Sequence, residues 1–142
     1  STCSVADLIG PEKGPLEPVI FYGKNSLFPP FTMFQKRMCK TSSGEELVGY
    51  NEQSMRCFTG PGYFTVRNSE DELGPVAIDY TQLPRERAEE WPEIQPNSIL
   101  RSRLVYYDMV DYLRPVAQGV YIGRAVKGGG LSNNYFLLAR EY

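Results

Sequence analysis

The sequence predicts a mainly β chain folded as a single antiparallel β-barrel or half-barrel. Three observations carry this: short runs that alternate apolar and polar residues, turn-forming clusters between them, and an unusual share of aromatic side chains. Ten Tyr, seven Phe and one Trp make up 13% of the residues. A tyrosine ring packs in an apolar interior while its hydroxyl seeks a polar partner. Such a set fits a packed sheet, and equally a pocket for a ring-containing or lipid-like molecule.

The segment 1–17 carries Gly10, Pro11, Gly14 and Pro15 and reads as an N-terminal arm, with a short helical turn over Val5 to Ile9. The barrel domain is expected over 18–142. Val19 to Gly23 is the first strand, and Pro29-Pro30 marks a loop because proline suits neither helix interior nor central strand. Phe31 to Lys40 alternates: Phe31, Met33, Gln35, Arg37 and Cys39 share one face, and Thr32, Phe34, Lys36 and Met38 the other. Thr41-Ser42-Ser43-Gly44 is a turn. Leu47 to Tyr50, Met55 to Thr59 and Tyr63 to Arg67 are expected as further strands of a meander, with Gly60-Pro61-Gly62 as a turn.

An acidic loop, Asn68 to Gly74, precedes a strand at Pro75 to Tyr80 in which Val76, Ile78 and Tyr80 alternate with Ala77 and Asp79. Pro84 followed by a charged run up to Trp91 suits the only helix expected, near 84–91, with a solvated loop as the alternative. Ile99 to Tyr107, Gln118 to Val126 and Asn134 to Arg140 are the strongest strand signals. Tyr135 to Ala139 is apolar at every position, as in a strand covered on both faces. Eight to ten short, locally joined strands favour a barrel or sandwich over a doubly wound sheet. Alternation alone does not choose between the first two.

Composition excludes several chemistries. The chain has no histidine, which removes Ser-His-Asp and Cys-His nucleophile systems and every imidazole metal site. Its glycine-rich phrases lack the Lys-Ser/Thr and helix of a phosphate loop. No cofactor and no metal are expected. Fifteen basic and 17 acidic side chains give a net charge of −2 without a basic stripe, so nucleic acid is not an expected partner. No apolar run approaches transmembrane length. Cys3, Cys39 and Cys57 are odd in number and lack CxxC spacing, which favours free thiols and a cytoplasmic location. Nothing leader-like opens the chain, and its start at Ser1 leaves a removed leader open.

The acidic pairs Glu45-Glu46, Asp71-Glu72 and Glu89-Glu90 read as solvated charge. The stretch from Tyr106 to Pro115 is chemically richer, placing Asp108, Asp111, Arg114 and the phenols of Tyr106, Tyr107 and Tyr112 between apolar strands. There the aspartates either cap a connection, or Asp111 pairs with Arg114 at a barrel mouth. A partly buried carboxylate is a candidate general base, and a nearby phenol a candidate oxyanion donor. Asp79 is a third candidate carboxylate because it lies within an apolar strand. Candidate catalytic residues are therefore Asp111, Asp108 and Asp79. Candidate ligand-binding residues are Tyr106, Arg114, Tyr121, Phe34 and Tyr135.

Several phrases also resemble a known family: Phe21-Tyr22-Gly23-Lys24, Tyr80 to Pro84, Arg103 to Asp108, Asp111 to Arg114 and Tyr135 to Glu141. In that order they are similar to GXWXG/DUF4334-type proteins over roughly residues 18–141. This sequence lacks the Gly-x-Trp-x-Gly motif, its one tryptophan being Trp91. The resemblance implies a lipocalin-like β-barrel and no established activity. Three functions follow as expectations: binding of a small hydrophobic or aromatic molecule, a cofactor-independent isomerase or cyclase in the same pocket, or a structural protein with a filled core. A homo-oligomer is compatible with each.

Overall fold

A computed structural model describes residues 3–26, 32–54, 56–98 and 105–142. Its strands are β1 (Val19–Asn25), β2 (Met33–Lys40), β3 (Leu47–Glu52), β4 (Phe64–Asn68), β5 (Val76–Asp79), β6 (Met109–Ala117), β7 (Val120–Lys127) and β8 (Gly130–Arg140). They form a closed barrel in chain order, each strand antiparallel to the next, with β8 pairing back on β1. Closure leaves no free sheet edge. Two short helices, α1 (Val5–Ile9) and α2 (Arg56–Thr59), complete the elements. Among the described residues no helix is long and apolar enough to cross a membrane.

Local chemistry explains the hairpins. Between β7 and β8 the ladder reaches Lys127 and Gly130, leaving Gly128-Gly129 as a two-residue loop. Both have positive φ, +61° and +78°, which glycine adopts without a Cβ penalty and which matches the twist of a tight hairpin. Between β2 and β3, the Gly44 N–H donates to the Thr41 carbonyl at 2.8 Å, closing the expected turn.

Period-two alternation sorts the strands into an inner and an outer set. Phe21, Met38, Leu47, Phe64, Val66, Val76, Ile78, Leu113, Tyr121, Phe136 and Leu138 form the barrel core. Leu8 and Ile9 of α1 belong to that same core, so the described part of the N-terminal segment closes one end of the barrel. Tyr121 donates to the Asp7 carbonyl there, and Lys40 holds the carbonyls of Gly10 and Lys13. A second cluster lies on the outer face of β2 and β3. Cys39, Val48, Tyr50 and Tyr63 are covered by Ala88 and Trp91 from the connection after β5.

Several expectations are corrected. The segment 84–91 is not a helix but a strap across the outer face of the barrel. Ala88 and Trp91 anchor it in the second cluster, and Arg87 donates to the Ala88, Glu89 and Trp91 carbonyls. Two isolated turns nucleate a helix poorly, and tertiary anchors outweigh propensity. In the span expected as a strand at 55–59, Met55 lies outside the described residues and Arg56–Thr59 is α2, closed by the Gly60 N–H donating to the Arg56 carbonyl. Of the strand expected over 99–107, residues 99–104 lie outside the described residues. Val105 to Asp108 forms a turn ending in a positive φ of 53° at Asp108. Conversely, Met109–Ala117, expected as a polar connection, is the strand β6. β8 is covered on one face only, since Tyr135 and Leu137 are exposed.

Candidate functional site

Inward alternation on β2 places Phe34, Lys36 and Met38 on the lumen side. Lys36 is thus carried into the interior by the same period that buries its neighbours, and it is 3% exposed. Opposite it, β6 turns Asp111 and Leu113 inward. In a ring of eight strands, β2 and β6 stand on opposing walls. An eight-stranded barrel is narrow enough for side chains from opposing walls to meet. Lys36 Nζ lies 3.3 Å from Asp111 Oδ2.

Two further groups complete the cluster. Asn51 on β3 accepts from Lys36 Nζ at 2.8 Å, and the Tyr80 hydroxyl accepts from it at 2.5 Å. Three acceptors therefore face the three ammonium donors. Tyr80 is the hub: its hydroxyl also accepts from Asn51 Nδ2 at 3.0 Å and donates to Asp111 Oδ2 at 3.3 Å. Asp111 Oδ1 is buried and has no hydrogen-bond partner among the described residues.

Aromatic rings enclose this cluster. The Lys36 ammonium lies 5.2–5.3 Å from the ring centroids of Phe34, Phe64, Tyr80 and Phe136. The sequence provides space for three of these rings through inward-facing glycines on neighbouring strands. A Cβ on Gly23 would come within 2.3 Å of the Phe34 ring, on Gly49 within 2.7 Å of Phe64, and on Gly123 within 2.1 Å of Phe136. Any larger residue at these positions displaces a ring. Tyr106 stacks on Tyr80 with centroids 5.4 Å apart, and its hydroxyl accepts from Gln53 Nε2 at 2.7 Å.

Burial dominates the electrostatics. Loss of solvent lowers the Lys36 pKa, against the attraction of Asp111, and raises that of Asp111, against the attraction of Lys36. Both shifts are those that burial imposes on a charge withdrawn from water. Burial, then the Asp111 charge, pushes the Tyr80 phenol well above its ordinary value, and burial raises that of Tyr106. The Tyr121 phenol is pushed up to about 12, chiefly by burial, at the end closed by α1.

The structure brings Asp111, Tyr106 and Phe34 into or beside this cluster. Tyr121 is interior but lies against α1. The others fall elsewhere. Asp108 is exposed in the turn before β6, where its carbonyl accepts from Gly128. Asp79 faces outward and caps the chain after β5, accepting from the Thr81 N–H and hydroxyl at 2.9 and 2.6 Å. Arg114 is on the outer face and donates to the Leu73 and Glu72 carbonyls, so the expected Asp111–Arg114 pair does not form. Residues three apart on a strand point to opposite faces. Tyr135 is exposed and stacks beneath the Arg124 guanidinium at 4.8 Å. Arg140, at the end of β8, is largely buried and paired with Glu12. The three acidic pairs are exposed, as read from sequence.

Lys36, Asn51 and Tyr80 were not among the sequence candidates. The available signal was Lys36 sharing a strand face with Phe34 and Met38, a charge flanked by apolar residues. Cys3, Cys39 and Cys57 are free thiols, and burial pushes Cys39 up to about 11, away from thiolate chemistry. Among the described residues no group of three or more Cys, Asp or Glu is placed to hold a metal ion. Comparison of the chain with family models, curated proteins and solved structures gives no match. Fold and site thus define the chain as a closed eight-stranded barrel with a buried Lys–Asp–Tyr cluster in its lumen.

Proposed function

We propose that this barrel binds a small hydrophobic or aromatic molecule, in the manner of a lipocalin-like carrier, with the Lys36–Asp111 cluster as its polar recognition point. The observation that carries the reading is Asp111 Oδ1, a buried acceptor with no donor, set among aromatic rings. An unpaired buried acceptor costs about 1–3 kcal/mol, and a ligand hydroxyl or N–H would relieve that cost. The rings would take the apolar body, as in small-molecule sites generally. α1 closes one end, so entry is assigned to the opposite end, where Tyr106 covers Tyr80. Native mass spectrometry of protein purified from its own source tests the proposal. A retained small molecule supports it. A blank spectrum together with no displacement of a hydrophobic dye by any apolar compound overturns it.

A second reading is favoured by the contiguous Lys36–Tyr80–Asp111 hydrogen bonds: proton transfer on the bound molecule, as in a cofactor-independent isomerase or cyclase. Asp111 would be the base and Tyr80 the oxyanion donor. Deuterium exchange from D2O into the bound molecule, lost in Asp111→Asn, is the expected result. Absence of exchange in the unaltered protein removes this reading.

A further inference from the structure

We propose that Lys36 is a carbonyl-capturing amine, condensing with an apolar aldehyde to form a Schiff base whose counter-ion is Asp111. This rests on the binding reading above and names the substrate class of the same site. Three features of the geometry support it. First, the lysine is enclosed by rings on four sides, the surroundings an aryl or alkyl aldehyde seeks when it leaves water. Second, a carboxyl group and a phenol lie at 3.3 and 2.5 Å from the amine, so proton donors stand where the carbonyl oxygen must be protonated. Third, packing alone does not require this pair. Apolar residues of similar volume in place of a buried ion pair are often as stable or more so.

The balance is complete without a further reagent. The neutral Lys36 amine adds to the aldehyde carbon, forming the C–N bond. The added nitrogen gives up one proton, which the Tyr80 hydroxyl relays to the carbonyl oxygen, giving a neutral carbinolamine. The Asp111 carboxylic acid then supplies the second proton, and the hydroxyl leaves as water as the C=N bond forms. The products are an iminium cation, one water and the Asp111 carboxylate. Desolvation favours the neutral amine and acid from which the step begins. The rings around Nζ hold the iminium through the same cation–π attraction that they exert on the ammonium.

The test treats the full chain at neutral pH with 4-isopropylbenzaldehyde and borohydride, which makes the adduct permanent, and locates it by peptide mass spectrometry. The chain carries four other lysines, Lys13, Lys24, Lys40 and Lys127, as internal controls. Labelling of Lys36 is expected to exceed theirs by about tenfold or more, because binding in the lumen holds the aldehyde beside its amine. Lys36→Arg keeps a cation but not the nucleophile, and is expected to lose the adduct while remaining folded by circular dichroism. Labelling spread over the other lysines with Lys36 unmodified overturns the proposal, whatever the variant does. A parallel arm uses 4-isopropylbenzyl alcohol, which has the same body and no carbonyl. Binding of the alcohol without an aldehyde adduct overturns the Lys36 chemistry and leaves the binding reading standing. Failure of both compounds to bind counts against both.

Discussion

Two aromatic clusters sit on opposite sides of the same sheet, one in the lumen and one under the strap. They use neighbouring residues: Tyr63 faces out and Phe64 in, Tyr50 faces out and Asn51 in. The outer cluster packs Tyr50 between Tyr63, tilted at 5.5 Å, and Trp91, edge-on at 5.2 Å, and its phenols reach Glu52 and the Pro92 carbonyl at the cluster rim. The inner cluster surrounds a charged pair and leaves a carboxylate oxygen without a donor. Outside, aromatic residues serve cohesion; inside, they enclose a buried Lys–Asp pair. Aromatic content therefore says little about function until each ring has been assigned a face.

The comparison can be broken most forcefully inside. Lys36→Met is expected to cost about 3–5 kcal/mol in urea unfolding, because it leaves Asp111 buried without its cation. The double change Lys36→Met with Asp111→Leu is expected to recover most of that loss. A double variant as unstable as the single one would mean that the rings depend on the pair for their packing. Outside, Trp91→Ala is expected to cost about 3 kcal/mol, the lower part of the range for a large buried aromatic, since the strap can partly collapse onto Tyr50. This change is expected to leave any ligand signal from the lumen unaltered. A lost signal would show that the two clusters communicate through the sheet.

A milder change sharpens the contrast. Gly123→Ala presses on the Phe136 ring and is expected to cost about 1–3 kcal/mol, as overpacking does, while altering lumen binding. The smallest effect is expected at Tyr135. Although it opens the apolar run Tyr135 to Ala139, it is exposed, and Tyr135→Ser should stay within about 0.5 kcal/mol by thermal unfolding.

Much of the fold was legible because its information is local. β1, β2, β3, β4, β5, β7 and β8 overlap strands read from alternation, and the Thr41 to Gly44 turn lies where turn chemistry put it. The failures share one cause. Met109–Ala117 carries Asp111, Arg114 and Pro115 and so reads as a connection, yet it is a strand with one buried carboxylate and one outward arginine. The run up to Trp91 has helical composition, but Trp91 is drawn onto Tyr50, a contact that local propensity does not contain. At the site, Asp111 was identifiable as a titratable group beside apolar strands. Its partner was not, because Arg114 was nearer in sequence and Lys36 nearer in space.

By itself the sequence determined the strand class, the turns and the two faces of β2, including Lys36 on the face of Phe34 and Met38. These follow from backbone geometry, which repeats every two residues and needs only near neighbours. Only the tertiary structure decided that Lys36 meets Asp111 and Tyr80, and that four rings close around it. That outcome depends on β8 joining β1, since closure of the ring sets β2 opposite β6, and no local pattern records which strands will stand across a lumen.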